Sequence, residues 1–134
     1  MQFLDVNLLA ISAAAVANII LGIIWYSPAL FGNAWMNLAG KRKDALHRST
    51  IEYAGSFLAA LAAACVLALL VEATQSNSIE SGAFLGLIVG LGFTATSTAV
   101  NFMFERRPMR LYMITVGYHI VAYTFMGAIL GNLS

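Results

Sequence analysis

Charge is what this chain has least of. Only 10% of its 134 residues are Asp, Glu, Lys or Arg, against roughly 25% in an average soluble domain, and 60% are hydrophobic. With a mean hydropathy of +0.82, it cannot build a water-soluble exterior. The single cysteine, Cys65, excludes an intrachain disulfide, and its place within an apolar run gives it the role of a small buried packing residue. Two histidines of unlike context, His47 and His119, plus that thiol make no metal-ligand set, and no nucleophile, base and orienting group can be assembled. No metal or other cofactor is expected, and no enzymatic activity. The two prolines, Pro28 and Pro108, both fall in polar breaks, where they stop helices without interrupting apolar runs.

Those runs are Val6 to Trp25, Ile51 to Val71, Gly82 to Phe104 and Leu111 to Leu130. Each is near the ~20 residues that a helix needs to cross a hydrocarbon core of ~30 Å. The expected fold is all-α: a polytopic membrane protein with four transmembrane helices in an up-down bundle. Residues 1–134 form a single integral membrane domain, since the segments between spans are too short for a soluble one. The start, MQFLDVNLLAISAAAVA, has a signal-peptide-like apolar stretch but no basic leading region and carries Asp5. It reads as a retained first helix.

The scarce charge is placed asymmetrically. All seven basic residues lie in two breaks, Lys41, Arg42, Lys43 and Arg48 in one and Arg106, Arg107 and Arg110 in the other. Positive loops are retained in the cytoplasm, so both breaks are expected there, with the two termini and the Glu72 to Glu80 turn on the outer side. A net charge of +1 spread this way reflects topology and gives no sign of nucleic-acid binding, while the basic loops favour anionic membrane lipid.

Between Ser27 and Thr50, the residues Leu30, Phe31, Trp35, Met36 and Leu38 precede the basic cluster, which predicts a short interfacial helix between helices one and two. Ser49-Thr50-Ile51-Glu52 and Asn77-Ser78-Ile79-Glu80 both read as helix-starting capping boxes. Arg106-Arg107-Pro108 predicts a tight hairpin that makes helices three and four antiparallel neighbours.

In a membrane, helices associate through close backbone approach and interhelical hydrogen bonds. On helix three, Gly82, Gly86 and Gly90, continuing to Thr94, Ser97 and Asn101, share one side at 100° per residue. Gly127 and Gly131 supply small positions on helix four. Helix two offers Gly55, Ser56, Ala59 and Ala63, and helix one offers Ala14, Asn18 and Gly22. The spacing Gly86-Leu87-Ile88-Val89-Gly90 lies inside an apolar span, where packing explains it better than a phosphate loop does.

Most polar groups within the spans fall in the half nearer the basic breaks. His119, Asn18, Asn101, Tyr112 and Glu52 are the candidate members of a ligand or proton pocket opening toward the cytoplasm. On helix four, Tyr112, Thr115, His119 and Tyr123 share a face while Ile114, Val121 and Phe125 point away. His119 stands near the bilayer midplane, and an ionisable group at that depth is a functional candidate. The same groups can equally satisfy one another and hold the bundle together, each contributing ~0.6 to 2 kcal/mol. Two functions remain open. One is a small-solute or proton permeation unit, built as a homo-oligomer. The other is a non-transporting accessory subunit that binds a partner membrane protein or lipid.

Trp25-Tyr26-Ser27-Pro28, followed by Phe31-Gly32 and Trp35-Met36, resembles the motif of a bacterial family of four-helix membrane proteins, domain of unknown function 1761. Gly92-Phe93, Asn101 ahead of Phe104-Glu105-Arg106, Gly117-Tyr118 and the run from Gly127 to Gly131 extend the resemblance over nearly the whole chain. It implies four spans and a bacterial inner membrane, and a structured turn at Trp25 to Pro28. It assigns no activity and no catalytic residue.

Overall fold

A computed structural model describes residues 8–39 and 50–133. These residues are helical nearly throughout: α1 (Leu8–Trp25), α2 (Gly32–Ala39), α3 (Thr50–Thr74), α4 (Ile79–Val89), a π-helical ring (Gly90–Thr94), α5 (Ala95–Glu105) and α6 (Met109–Leu133). The basic cluster Lys41, Arg42, Lys43 and Arg48, with His47 and the Ser49 cap, lies outside the described residues, and so does the side chain of Glu52. Four helices are long and apolar enough to cross a membrane: Leu8–Trp25, Ala54–Thr74, Ile79–Glu105 and Met109–Leu133. They run alternately up and down, so Arg106, Arg107 and Arg110 mark one end of the bundle, the basic end, and the turn after Thr74 marks the other.

Little of these helices is covered by protein. Across an 18-residue apolar stretch of each, only 11% of the third span and 28% of the fourth are buried, and large apolar side chains such as Phe104 (85% exposed) and Ile51 (82%) point outward. Such a surface is unstable in water and natural in lipid. The chain is a multi-pass helical membrane protein.

α6 is the centre of the bundle and touches every other helix. Its tightest partner is α4, because glycines face one another across the seam. A Cβ on Gly82 would stand 2.1 Å from the Gly127 carbonyl oxygen, one on Gly86 1.9 Å from that of Tyr123, and one on Gly131 2.2 Å from that of Ser78. Only residues without a side chain let two backbones approach so closely. On the other flank, Ala10, Ile11, Ala14 and Ala15 of α1 and Ala60, Ala64, Leu67 and Val71 of α3 close with Met126 and Leu130 into a dry core.

Several local expectations shift by one position. The seam of α3 is Ala60, Ala64, Leu67 and Val71, while Gly55, Ser56 and Ala59 are exposed, since the alanine-rich stretch offers several small faces and α1 selects one. Cys65 is exposed on the opposite side, so it is no buried packing residue. The cap of α4 is Ser78, whose hydroxyl accepts from the Ser81 amide at 3.1 Å, with Ser81 closing the box. Asn77 and Glu80 do not make it, because serines three apart reach each other directly. Ile114 is buried against Trp25 and not turned outward.

The π ring matters most for position. In it the Ala95 amide donates to the Gly90 carbonyl, five residues back, so one extra residue enters the helix and everything beyond rotates relative to an α-helical count. The protein-facing side therefore runs Gly82, Gly86, Gly90 and then Ala95, Thr98 and Phe102, while Ser97 and Asn101 are exposed. The Thr96 hydroxyl donates to the Gly92 and Phe93 carbonyls at 2.7 and 3.0 Å, and the Tyr112 hydroxyl donates to the Ala95 carbonyl at 2.7 Å. These bonds serve backbone acceptors around the ring that lipid cannot solvate.

Candidate functional site

The turn after α1 is built by backbone bonds that fold it back on itself. The Ser27 carbonyl accepts from the Leu30 and Gly32 amides at 3.0 and 2.9 Å, and the Trp25 carbonyl accepts from the Phe31 amide at 3.1 Å. The Ser27 hydroxyl donates to the Ile24 carbonyl at 2.7 Å, and Pro28 starts the turn where no further helical amide is needed. Gly32 is required on steric grounds, since a Cβ there would lie 2.3 Å from the Tyr26 carbonyl oxygen. The Trp-Tyr-Ser-Pro motif thus forms a compact corner that aims its two aromatic rings at α6.

Rings and glycines face each other across α1 and α6. Trp25 lies over Gly117, at 3.1 Å from where a Cβ would sit, and donates its indole N–H to the Ile114 carbonyl at 3.0 Å. In the reverse direction Tyr118 of α6 fits over Gly22 of α1. Its hydroxyl donates to the Asn18 side-chain oxygen and lies 3.0 Å from the Asn18 backbone carbonyl. The Asn18 amide nitrogen is 3.5 Å from the Met126 sulfur, a weak contact.

Around this pair a groove of about 540 Å³ opens between α1, α3 and α6, lined by Gly22, Ile23, Tyr26, Ser56, Phe57 and Tyr118. It sits in the basic half of the bundle. Toward the other end, the described residues form an alanine-rich core with Leu67, Val71, Met126 and Leu130, against which Tyr123 packs, so the groove gives way to a mainly apolar floor. A line of rings runs past it from α2 to the middle of α6. Trp35 of α2 meets Tyr26 edge-on at 5.8 Å, Tyr26 approaches Tyr118 at 5.6 Å, and His119 stands 5.0 Å from Tyr118 and stacks at 6.2 Å on Tyr123.

Of the five residues expected to form one pocket, the four whose side chains are described do not come together in one place. Asn18 is at the groove, held by Tyr118. His119 is one ring away, half-buried, with ring contacts and no hydrogen bond among the described residues. Tyr112 is committed to the π ring through Ala95 and lines a different, smaller cavity with Phe102 and Arg106. Asn101 is exposed on the far side of α5 because the π ring turns it there. Glu52 belongs to the first turn of α3, four residues before Ser56. No cluster of three His, Cys, Asp or Glu side chains that could hold a metal occurs among the described residues. The charged pair at the end of α5 is Glu105 with Arg107, at 3.5 Å, and not with Arg106, whose backbone takes the left-handed helix-ending conformation at φ 55°.

Tyr118 is the residue that sequence reasoning missed. Its signal was the Gly117-Tyr118 step together with Gly22 and Asn18 at helical spacing on α1: a ring, a gap to receive it, and an acceptor one turn away.

Residues 9–131 match the family described as protein of unknown function (DUF1761). The chain belongs to that family. No curated protein and no solved structure matches it.

Proposed function

We propose that this protein is a binding subunit of the membrane, non-transporting as a single chain, whose groove at Tyr118 takes a small, mainly apolar molecule carrying a hydrogen-bonding group. The observation that carries this reading is the apolar floor of the groove. Polar groups, Tyr118, Asn18, Tyr26 and Ser56, gather at one end of the bundle, and a dry alanine-rich core closes the path beyond them. A mostly apolar cleft with a few convergent polar groups is the usual form of a ligand site. In this account the basic end faces the cytoplasm of an inner membrane, both termini face outward, and the ligand enters sideways from the inner leaflet. A photoreactive long-chain alcohol should label the groove walls in wild-type protein. Labelling should fall in Tyr118→Phe and when Ser56→Leu narrows the entrance. Labelling spread evenly over lipid-facing residues and insensitive to both changes would refute a built site.

A second reading, permeation of a proton or small solute by a homo-oligomer, is favoured by one feature. Ser97 and Asn101 face outward from α5, where a second copy would cover polar groups that lipid disfavours. It predicts flux in reconstituted liposomes that falls in His119→Ala, whereas the binding reading predicts no flux above protein-free vesicles.

A further inference from the structure

We propose that the groove between α2 and the first turns of α6 binds an anionic glycerophospholipid, with Arg110 on the phosphate and the apolar walls on an acyl chain. The groove encloses about 530 Å³ between Phe31, Ala34 and Leu38 on one side and Met113 and Ile114 on the other, with Arg110 at its edge. It shares no lining residue with the Tyr118 groove, so either site can fail without the other.

Charge selects the occupant. Arg110 is exposed and has no carboxylate in ion-pair reach among the described residues. Arg107 differs, being engaged by Glu105 at 3.5 Å and by the face of Phe102 at 5.3 Å. Arg106 lines the separate cavity with Phe102 and Tyr112. Arg110 is thus the guanidinium that stands at the mouth of the α2–α6 groove free to take an anion. Its planar fork of donors suits a phosphodiester, which it binds through paired charge-assisted hydrogen bonds.

The walls select a lipid over a soluble phosphate. Arg110 lies in the first turn of α6, at the headgroup level of a spanning helix, while Met113 and Ile114 lie one turn deeper, about 5 Å along the axis, where acyl chains begin. Met113 is largely exposed on this wall, and a flexible thioether adapts to an irregular chain. One molecule that is anionic at the surface and apolar below satisfies both ends of the groove.

The test is native mass spectrometry of the full chain in detergent, titrated with dioleoyl phosphatidylglycerol and, separately, dioleoyl phosphatidylcholine. Wild type should retain the anionic lipid in preference to the zwitterionic one. Arg110→Gln should weaken retention at least about tenfold, the loss of a hydrogen bond to a charged group. Ala34→Leu, which keeps the charge and fills the groove, should weaken it as well, and Arg106→Gln should leave it essentially unchanged. Glycerol phosphate, which lacks acyl chains, should not compete. Undiminished retention by Arg110→Gln, equal losses in Arg106→Gln and Arg110→Gln, or displacement by glycerol phosphate would each overturn the proposal.

Discussion

Trp25 of α1 lies across Gly117 of α6, with its indole against the position a Cβ would occupy at 3.1 Å, and it spends its only polar hydrogen on the Ile114 carbonyl one turn away. The next residue of α6, Tyr118, returns the contact over Gly22. Two rings and two glycines therefore lock α1 to α6 in both directions, at the level where the groove forms.

Trp25→Phe keeps most of the ring and loses the indole bond. It should cost ~0.6 to 2 kcal/mol, the range of an interhelical hydrogen bond in a membrane. Gly117→Val should cost more, because its branched side chain would reach past a Cβ already 3.1 Å from the indole and overpack the contact. Thermal unfolding in a fixed detergent, followed by near-UV circular dichroism, measures both.

Tyr118→Phe and Asn18→Ala remove the two sides of one interaction. Each alone should destabilise by ~0.6 to 2 kcal/mol, and the double variant by less than the sum, since the bond between the two side chains can be broken only once. Additive losses in a double-mutant cycle would mean that the hydroxyl and the amide are not coupled.

Gly86→Ala places a methyl group on the Tyr123 carbonyl oxygen, 1.9 Å away, which α4 and α6 can accommodate only by separating. Overpacking of this kind costs about 1–3 kcal/mol or more. Gly55→Ala is the matching control: nothing lies within 4 Å of its added Cβ, and alanine should gain ~0.5 to 1 kcal/mol in the helix. Opposite signs for the two changes test the seam directly.

The π ring predicts which side of α5 meets protein. In a Cys65→Ala background, Asn101→Cys should react readily with a lipid-soluble maleimide, and Phe102→Cys, buried against the Tyr112 ring at 5.5 Å, should resist it. An unbroken α-helix through residues 79–105 would reverse that order.

Sequence carried the spans, the interfacial helix and the alternating direction because hydropathy and proline placement act locally and the bilayer fixes span length. It carried the Gly82, Gly86 and Gly90 side because four-residue spacing survives until the helix geometry changes. Beyond Gly90 the same count failed: one extra residue in a π ring leaves no periodic trace, so Ser97 and Asn101 were placed on the wrong face. Tyr118 was hidden for a different reason. α6 is touched by every other helix, so its sequence has no single polar or apolar face, and its residues sort only once their neighbours are known. α3 shows the same problem in alanine, where several small stripes are available and packing against α1 decides among them.

Orientation underlies the entry route of both proposed ligands, and thiol labelling of intact cells tests it. In the Cys65→Ala background, a membrane-impermeant maleimide should modify Asn77→Cys, on the turn between α3 and α4, without permeabilisation. It should reach Glu105→Cys, beside the arginine hairpin, only after the membrane is opened. Labelling of Glu105→Cys from outside in sealed cells, with Asn77→Cys protected, would contradict the account.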